Sequence, residues 1–447
     1  MKTFPKGGVH PSDNKLSRST KTITLALPNV VMIPLSQHIG APATAKVAKG
    51  DKVLTGQLLA EATGFMSANI HSPITGTVSA VDMQPNAQGL RQMMITIKRN
   101  EEEQWADGID TSSEIIKDCA LTSAEIIAKI KDAGIVGMGG ATFPTQVKLS
   151  IPPGKKAEFL IINGVECEPY LTSDHRTMLE RAEELLIGVE ILMKAIDVTQ
   201  AYIGVENNKP DAIEHLTKMC ASSKGITVVP LKVQYPQGGE KQLIAAVVGR
   251  EVPPPPGLPI DVGAVVCNAS TAVAVYEAVQ KNKPLIERIV TLTGKSVKTP
   301  INALTRMGTP ISALIELAGG LPEDTGKVVN GGPMMGRAMT NLSSPVTKGC
   351  SGVTILNNTE ARRSEESSCI KCAKCVSACP MSLEPFLISK LSRKNNFEGA
   401  EQGCITDCIE CGSCQFICPA NIPLLDYIRI GKQRVMGIIR ARAAERK

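Results

Sequence analysis

Aromatic side chains are scarce in this sequence: one Trp, five Tyr and seven Phe among 447 residues. Any core must therefore be mostly aliphatic. No uncharged apolar run reaches the roughly 18 residues that a membrane-spanning helix needs, so no transmembrane helix is expected. The first residues, MKTFPKGGVHPSDNK, lack an apolar h-region, and no secretory signal is expected. Charge is not strongly one-sided either, at a net +6. Part of that excess lies in Gly431–Lys447, including Arg440, Arg442, Arg446 and Lys447. Such a tail can dock on anionic lipid or an acidic partner, or can simply be a solvated helix end. A soluble or peripherally attached protein is the expectation.

What is present points to several domains. The length allows about three, and 43% hydrophobic with 21% charged residues is ordinary for a globular chain. Fourteen cysteines would suggest disulfides in a secreted protein. Here eight of them form two copies of one device, CIKCAKCVSACP (Cys369–Pro380) and CIECGSCQFICP (Cys408–Pro419). In C-x2-C-x2-C-x3-C-P, three close thiolates hold three corners of a cubane, and the fourth is carried to the other cluster. One centre is thus assigned to Cys369, Cys372, Cys375 and Cys418, the other to Cys408, Cys411, Cys414 and Cys379. Zinc sites usually pair two C-x2-C knuckles and do not need the other cysteines so placed. Two [4Fe–4S] clusters in a reducing compartment follow. Cys404 reads as a spare buried thiol, and Cys119, Cys167, Cys220, Cys267 and Cys350 as small buried hydrophobes.

Upstream, residues 26–99 read as all-β. Short apolar stretches are cut at intervals by turn signals such as Lys49-Gly50-Asp51 and Thr75-Gly76. This segment resembles the biotinyl/lipoyl carrier domain, but the hairpin Gly64-Phe65-Met66-Ser67 holds no lysine to modify. A structural barrel-sandwich module is expected. Residues 120–282 alternate strand and helix: SAEIIAKIKDAG, EFLIINGVE, one long helix through RTMLERAEELLIGVEILMKAI, then AYIGVE, ITVVPLKV, a helix from Glu240, and AVVCN. Such alternation predicts a parallel α/β sheet with ligands at the strand C-termini. Pro253-Pro254-Pro255-Pro256 reads as a stiff connector. Residues 287–345 suggest a compact β-rich module with one helix, and Asn357–Ser368 a charged linker.

Electrons in clusters need a source or sink. The loop GIVGMGGATFPTQVKLS (Gly134–Ser150) is the candidate: Gly137, Gly139 and Gly140 let backbone N–H groups approach a phosphate, and Lys148 adds charge. Asn163, Glu166 and Glu168 in INGVECEPY lie at a strand end. Gly239 and Glu240 in YPQGGEKQ, and Asn268 and Thr271 in CNAST, lie at two further ones. Each segment alone is explicable as a cap or turn; together they predict a nucleotide site.

In that order, GMGGATFPTQVK, NGVECEP, GGEKQ and NAST resemble the FMN- and NADH-binding subunit of respiratory complex I. With FPKGGVHP, the lysine-free barrel and the twin cysteine repeats, residues 1–445 resemble the C-subunit family of the Rnf complex, an ion-translocating ferredoxin:NAD+ oxidoreductase. The resemblance implies a multidomain α/β protein with five parts and a tail. These are an N-terminal segment and barrel-sandwich hybrid (1–100), a Rossmann-like parallel α/β FMN/NADH domain (115–283) and a soluble-ligand-binding β-grasp module (284–345). A linker (346–368), a helical double [4Fe–4S] ferredoxin-like domain (369–430) and the basic tail (431–447) complete it. It further implies FMN and NAD(H), with Glu166 and Glu168 near the flavin and nicotinamide edge and Phe143 as a stacking surface. The implied partners are the other subunits of a membrane complex and a ferredoxin-like iron–sulfur protein, not nucleic acid. The implied place is the cytoplasmic face of the membrane, held peripherally. Two departures from the complex I pattern stand out: the flavin-binding protein there has a single cluster, and Met138 occupies a loop position that is charged there. A soluble cobalamin reductase and a non-catalytic cluster-bearing scaffold are the alternative readings.

Overall fold

The computed structural model describes residues 1–100, 102–221 and 223–445. The expected barrel is there. Val30–Pro34, Arg91–Arg99, Gly76–Pro85 and Lys52–Val53 form one antiparallel sheet, and Thr44–Ala45, Leu58–Glu61 and Ile70–His71 face it as a second. Between them lies an aliphatic core of Val31, Ile33, Leu59, Ile70, Val78, Ile95 and Ile97. The scarcity of aromatics therefore costs the barrel nothing: each buried Val, Leu or Ile contributes about 1.5–3 kcal/mol.

The central unit is a four-stranded parallel sheet in the order Ile226–Leu231, Ala201–Glu206, Phe159–Asn163, Ala264–Asn268. Alternate side chains bury on opposite faces, Leu160 and Ile162 on one and Ile161 on the other. Helices Ser123–Asp132, Ala182–Ala195 and Ala269–Gln280 supply residues to the first face and Glu240–Val248 to the second. Helix Ser123–Asp132 starts where its sequence says it should. Thr122 and Glu125 form a reciprocal capping box. The expected single helix through Arg176–Ile196 is instead two, Ser173–Glu180 and Ala182–Ala195. Arg181 leaves helical geometry at the break (φ −128°, ψ 33°) and points its guanidinium at Glu184 and Glu277, at 2.7 and 3.0 Å.

A second sheet has six strands in the order Ile23–Thr24, Ile301–Arg306, Glu287–Thr293, Gly352–Asn357, Thr325–Asn330, Arg337–Ala338, with helix Ile311–Leu317. This corrects two boundaries. The stretch expected to open a linker at 346 contains an interior strand of this sheet, parallel to Glu287–Thr293 and antiparallel to Thr325–Asn330. Its run Val353-Thr354-Ile355-Leu356 has the β-branched, apolar character of a buried strand.

The N-terminal segment also does not belong with the barrel. Lys2 pairs beside Leu231, and Val9 exchanges two hydrogen bonds with Tyr235 at 2.8 and 2.9 Å. Residues 1–20 thus run along the central sheet's C-terminal edge. The cysteine domain is helical around its loops, with helices Lys374–Ser377, Pro385–Arg393, Phe397–Gln402, Ser413–Phe416 and the 22-residue Leu424–Glu445. The basic tail is the last part of that long helix; Arg446 and Lys447 lie outside the described residues. Among the described residues no helix is long and apolar enough to cross a membrane.

Candidate electron-transfer site

Asn268 ends its strand and caps the helix behind it, its Oδ1 accepting from the Thr271 N–H at 3.3 Å. The Thr271 hydroxyl in turn accepts from the Met138 N–H at 2.9 Å, pinning the glycine loop to that helix end. Gly139 lies so close that a Cβ there would sit 2.7 Å from Asn268 Nδ2. Gly140 has φ +94° and faces open space, a backbone state that side chains other than glycine's rarely adopt. Gly139, Gly140 and Ala141 are exposed, and among the described residues no protein acceptor takes their N–H groups. Free amides over open space suit a phosphate. Gly137 serves the loop itself, donating its N–H to Phe143 O at 2.8 Å and leaving Phe143 half-buried at the loop base.

Lys148 reaches the same rim. Its Nζ donates to Glu240 Oε1 and to Val266 O, both at 2.8 Å. Burial opposes its charge, but Glu240 and the Cys267 thiol together outweigh it and hold its pKa above the ordinary lysine value. Gly239 caps the helix that Glu240 begins, and Asn163 bridges the next strand end, donating to Gly238 O at 2.8 Å. Gly139, Gly140, Lys148, Asn163, Gly239, Glu240, Asn268 and Thr271 thus form one connected rim. The donor set fits the phosphate end of a flavin mononucleotide.

Glu166 and Glu168 both hold backbone N–H groups. Glu166, at φ +46°, accepts the Asp174 N–H at 2.8 Å and the His175 N–H at 3.3 Å, capping helix Ser173–Glu180. The Glu168 carboxylate accepts the Met334 and Met335 N–H groups at 3.1 and 2.6 Å. Burial pushes its pKa up to about 7, against the pull of those two donors. The Met334–Met335 turn lies against the second cysteine loop: a Cβ on Gly412 would be 2.9 Å from Met334 O.

Four of the cysteines share one pocket. Cys379, Cys408, Cys411 and Cys414 line it, and it is small and partly open to solvent. Burial, followed by the neighbouring thiols Cys411 and Cys379, pushes Cys408 up to about 11. Burial also raises the Cys375 thiol, and Cys418 is the neighbouring thiol that adds to the rise. Among the described residues no three ligands converge on a single ion. Four thiols around a cavity suit a cubane, which holds its thiolates at separate corners. Cys404, expected to be buried, proves exposed, and Cys119 and Cys167 are only half-buried.

Several contacts around the site are not legible in sequence. Tyr235 is buried and donates its hydroxyl to Cys411 O at 2.7 Å, joining the central sheet to the inner cysteine cavity. Gly7 packs on the Cys379–Pro380 peptide, where a Cβ would meet Cys379 C at 2.5 Å. Lys15 is buried and donates to the carbonyls of Glu166, Glu168 and Leu171 at 2.7, 2.9 and 2.6 Å, with burial lowering its pKa to about 8. Asp174, raised to about 6 by burial and by Glu166, takes hydrogen bonds from Asn268 and Ser270. At Met138 the charge comes from behind, since Arg288 Nη2 donates to Met138 O at 3.1 Å. Each of these contacts joins residues more than 90 positions apart or lies in a stretch without a motif.

Four family models match successive parts of the chain. Residues 130–277 match the Nuo51 FMN-binding domain, 289–338 the SLBB domain and 362–419 the 4Fe-4S dicluster domain. These matches define the class: a flavin-domain chain with an appended pair of clusters. Residues 2–102 match the RnfC barrel sandwich hybrid domain. The chain is 45% identical over 403 residues to the C subunit of the proton-translocating ferredoxin:NAD(+) oxidoreductase complex of Clostridium ljungdahlii, covering 90% of this chain and 87% of that one. It is 44% identical over 438 residues to the C subunit of the Na(+)-translocating ferredoxin:NAD(+) oxidoreductase complex of Acetobacterium woodii, covering 96% and 97%. The C subunit of a Rhodobacter capsulatus ion-translocating oxidoreductase complex is 42% identical over 96% of this chain and 82% of its own. The chain belongs to the C-subunit family of ion-translocating oxidoreductase (Rnf) complexes.

Proposed function

We propose that this chain is the peripheral electron-transfer subunit of a membrane-bound ferredoxin:NAD+ oxidoreductase complex. In this reading it exchanges hydride with NAD(H) at FMN and passes single electrons through two [4Fe–4S] clusters to the other subunits. The observation that carries it is shared scaffolding: the segments that form the phosphate rim also hold Tyr235, bonded to Cys411 O, and Glu168, bonded to the Met334–Met335 turn that touches the second cysteine loop. FMN, when bound, supplies the conversion between paired and single electrons that nicotinamide and clusters require. The amides of Gly139, Gly140 and Ala141 and the Lys148 ammonium hold its phosphate. Asn163, Asn268 and Thr271 fix the rim, and Phe143 is the candidate stacking surface. Glu168 acts by positioning, clamping the Met334–Met335 turn over the inner cavity.

The cavity of Cys379, Cys408, Cys411 and Cys414 is the inner one, because Gly7, Val9, Tyr235 and Cys167 pack around its loops. The set Cys369, Cys372, Cys375 and Cys418 is the outer one. The finer fold labels in this reading are Rossmann-like for the central domain, β-grasp for the six-stranded sheet and ferredoxin-like for the cysteine domain. Attachment is peripheral, at the cytoplasmic face, through partner subunits. The N-terminal barrel, whose loss would favour a cobalamin reductase, is present. Anaerobic purification followed by iron, sulfide and flavin analysis tests the reading, with stopped-flow bleaching by NADH. About eight irons and one FMN per chain, with NADH reducing both centres, is the expected result. A flavin-free protein whose clusters respond only to dithionite would refute it.

A further inference from the structure

The two cysteine loops are copies in sequence but not in surroundings. In the second loop, Ile409 packs among Val9, Tyr235 and Met334. Glu410 pairs with Arg429 and Lys432 at 3.3 and 3.4 Å, Gly412 touches the Met334 backbone, and Ser413 is buried. The rest of the protein covers that face. The first loop carries Ile370, Lys371, Ala373 and Lys374 at the matching positions. Ile370 is 68% exposed, and Cys369, Lys371, Cys372, Ala373 and Lys374 are all exposed. Among the described residues neither Lys371 nor Lys374 has an ion-pair partner, whereas nearby Glu366 is held by Arg393 at 2.6 Å. The matching face is thus uncovered, apolar at its centre and cationic at its edge.

We propose that this face, Cys369–Lys374, is the docking surface for a separate, acidic iron–sulfur electron carrier that presents carboxylates around its own redox centre. The inference rests on the electron-transfer reading above. The second loop shows what such a face looks like when occupied: its isoleucine is packed and its charge is paired. The lysines mark the sign of the missing partner. The position does the rest, since Cys369 and Cys372 of the outer set are exposed whereas Cys411 and Cys414 of the inner set are buried. One electron passes between the reduced and the oxidised centre, with no bond made or broken. A partly exposed isoleucine with two free ammonium groups suits a transient complex steered by charge and weakened by salt.

The test uses the full chain, purified anaerobically with both clusters, and an acidic two-cluster ferredoxin as probe. Binding is read by calorimetry and electron exchange by stopped flow, in wild type, Lys371→Glu/Lys374→Glu and Ile370→Ser. Lys52→Glu in the exposed part of the barrel serves as control. At low salt the double charge reversal should weaken association about tenfold or more, and Ile370→Ser should weaken it at low and high salt alike. High salt should shrink the first effect, and Lys52→Glu should behave as wild type. Iron content and cluster spectra should be unchanged in every variant, which separates docking from folding. Bleaching of the clusters by NADH should also be unchanged; its failure in wild type would sink the functional reading while leaving the binding result standing. Equal ferredoxin affinity in wild type and the double variant, with clusters intact, would overturn the proposal. So would binding of wild type but not of the variant to phosphatidylserine vesicles in place of ferredoxin, or a charge-dependent dimer on sedimentation.

Discussion

Gly140 and Glu168 show how much a single position decides. At Gly140 the backbone stands at φ +94° with open space where a side chain would project. Gly140→Val therefore strains the loop, by about 1–2 kcal/mol for leaving glycine's conformational range, and fills the cradle. We expect flavin-free protein with its iron retained, measured as FMN released on acid extraction; normal flavin content would remove this loop from the site. Glu168 makes a different prediction. Its folded pKa of about 7 lies above the ordinary 4.5. Its contribution to stability is then whole below about pH 4.5 and lost as pH rises through about 7. The apparent melting temperature of wild type should decline across that window. Glu168→Gln cannot titrate, so it should flatten the decline and, by disturbing two N–H contacts, slow NADH reduction of the clusters while leaving FMN bound. An unchanged pH profile would place the titration elsewhere.

At the scale of elements, the cysteine loops exchange a ligand, so damage to one loop should appear in the other's cluster. Cys379→Ala removes a thiol that shares its cavity with Cys408, Cys411 and Cys414. Iron should fall from about eight to about four per chain, with loss of the signal that the Cys408 loop supplies. Loss of the Cys369–Cys375 centre instead would reverse the assignment. The long C-terminal helix gives a weaker prediction. Arg442 is already paired with Glu401 at 2.9 Å, which leaves Arg440 exposed within the described residues. Each basic group near an anionic surface is worth about 1 kcal/mol and is screened by salt. Truncation after Ile439 should therefore change membrane attachment of the assembled complex only slightly, measured by salt elution. A large loss of attachment would give the tail the anchoring role.

Across the whole molecule, the N-terminal segment joins the central sheet to the cysteine domain. Gly8 donates its N–H to Ala378 O at 2.9 Å, and Gly7 sits on the Cys379–Pro380 peptide. Gly7→Val would force that peptide away, at a cost of about 1–3 kcal/mol for overpacking. The expected outcome is a protein with full flavin and iron in which NADH bleaches the flavin normally but reduces the clusters slowly. Equal rates in wild type and variant would show that the segment does not set the distance between the centres. Lys348 is a second staple of this kind, donating to Asn69 O in the barrel and Gly134 O in the central domain, both at 2.7 Å, with burial lowering its pKa to about 7.

The sequence alone determined what depends on neighbours along the chain. Helix Ser123–Asp132 follows from its capping box and periodicity, the sheet from four aliphatic runs, and the two cysteine repeats are visible as C-x2-C-x2-C-x3-C-P. The tertiary structure decided what depends on distant partners. Gly352–Asn357 reads locally as either a strand or the start of a linker, and only the two strands on either side fix it. Arg181 sits at a break in a helix whose periodicity continues, and its guanidinium is paired with Glu277, 96 residues away. Glu166 and Glu168 sit in a ligand-type motif, yet one caps a helix and the other clamps the Met334–Met335 turn. A motif fixes which groups are available. Burial and long-range hydrogen bonding fix where they point, because a buried polar group must take the partner the fold brings to it.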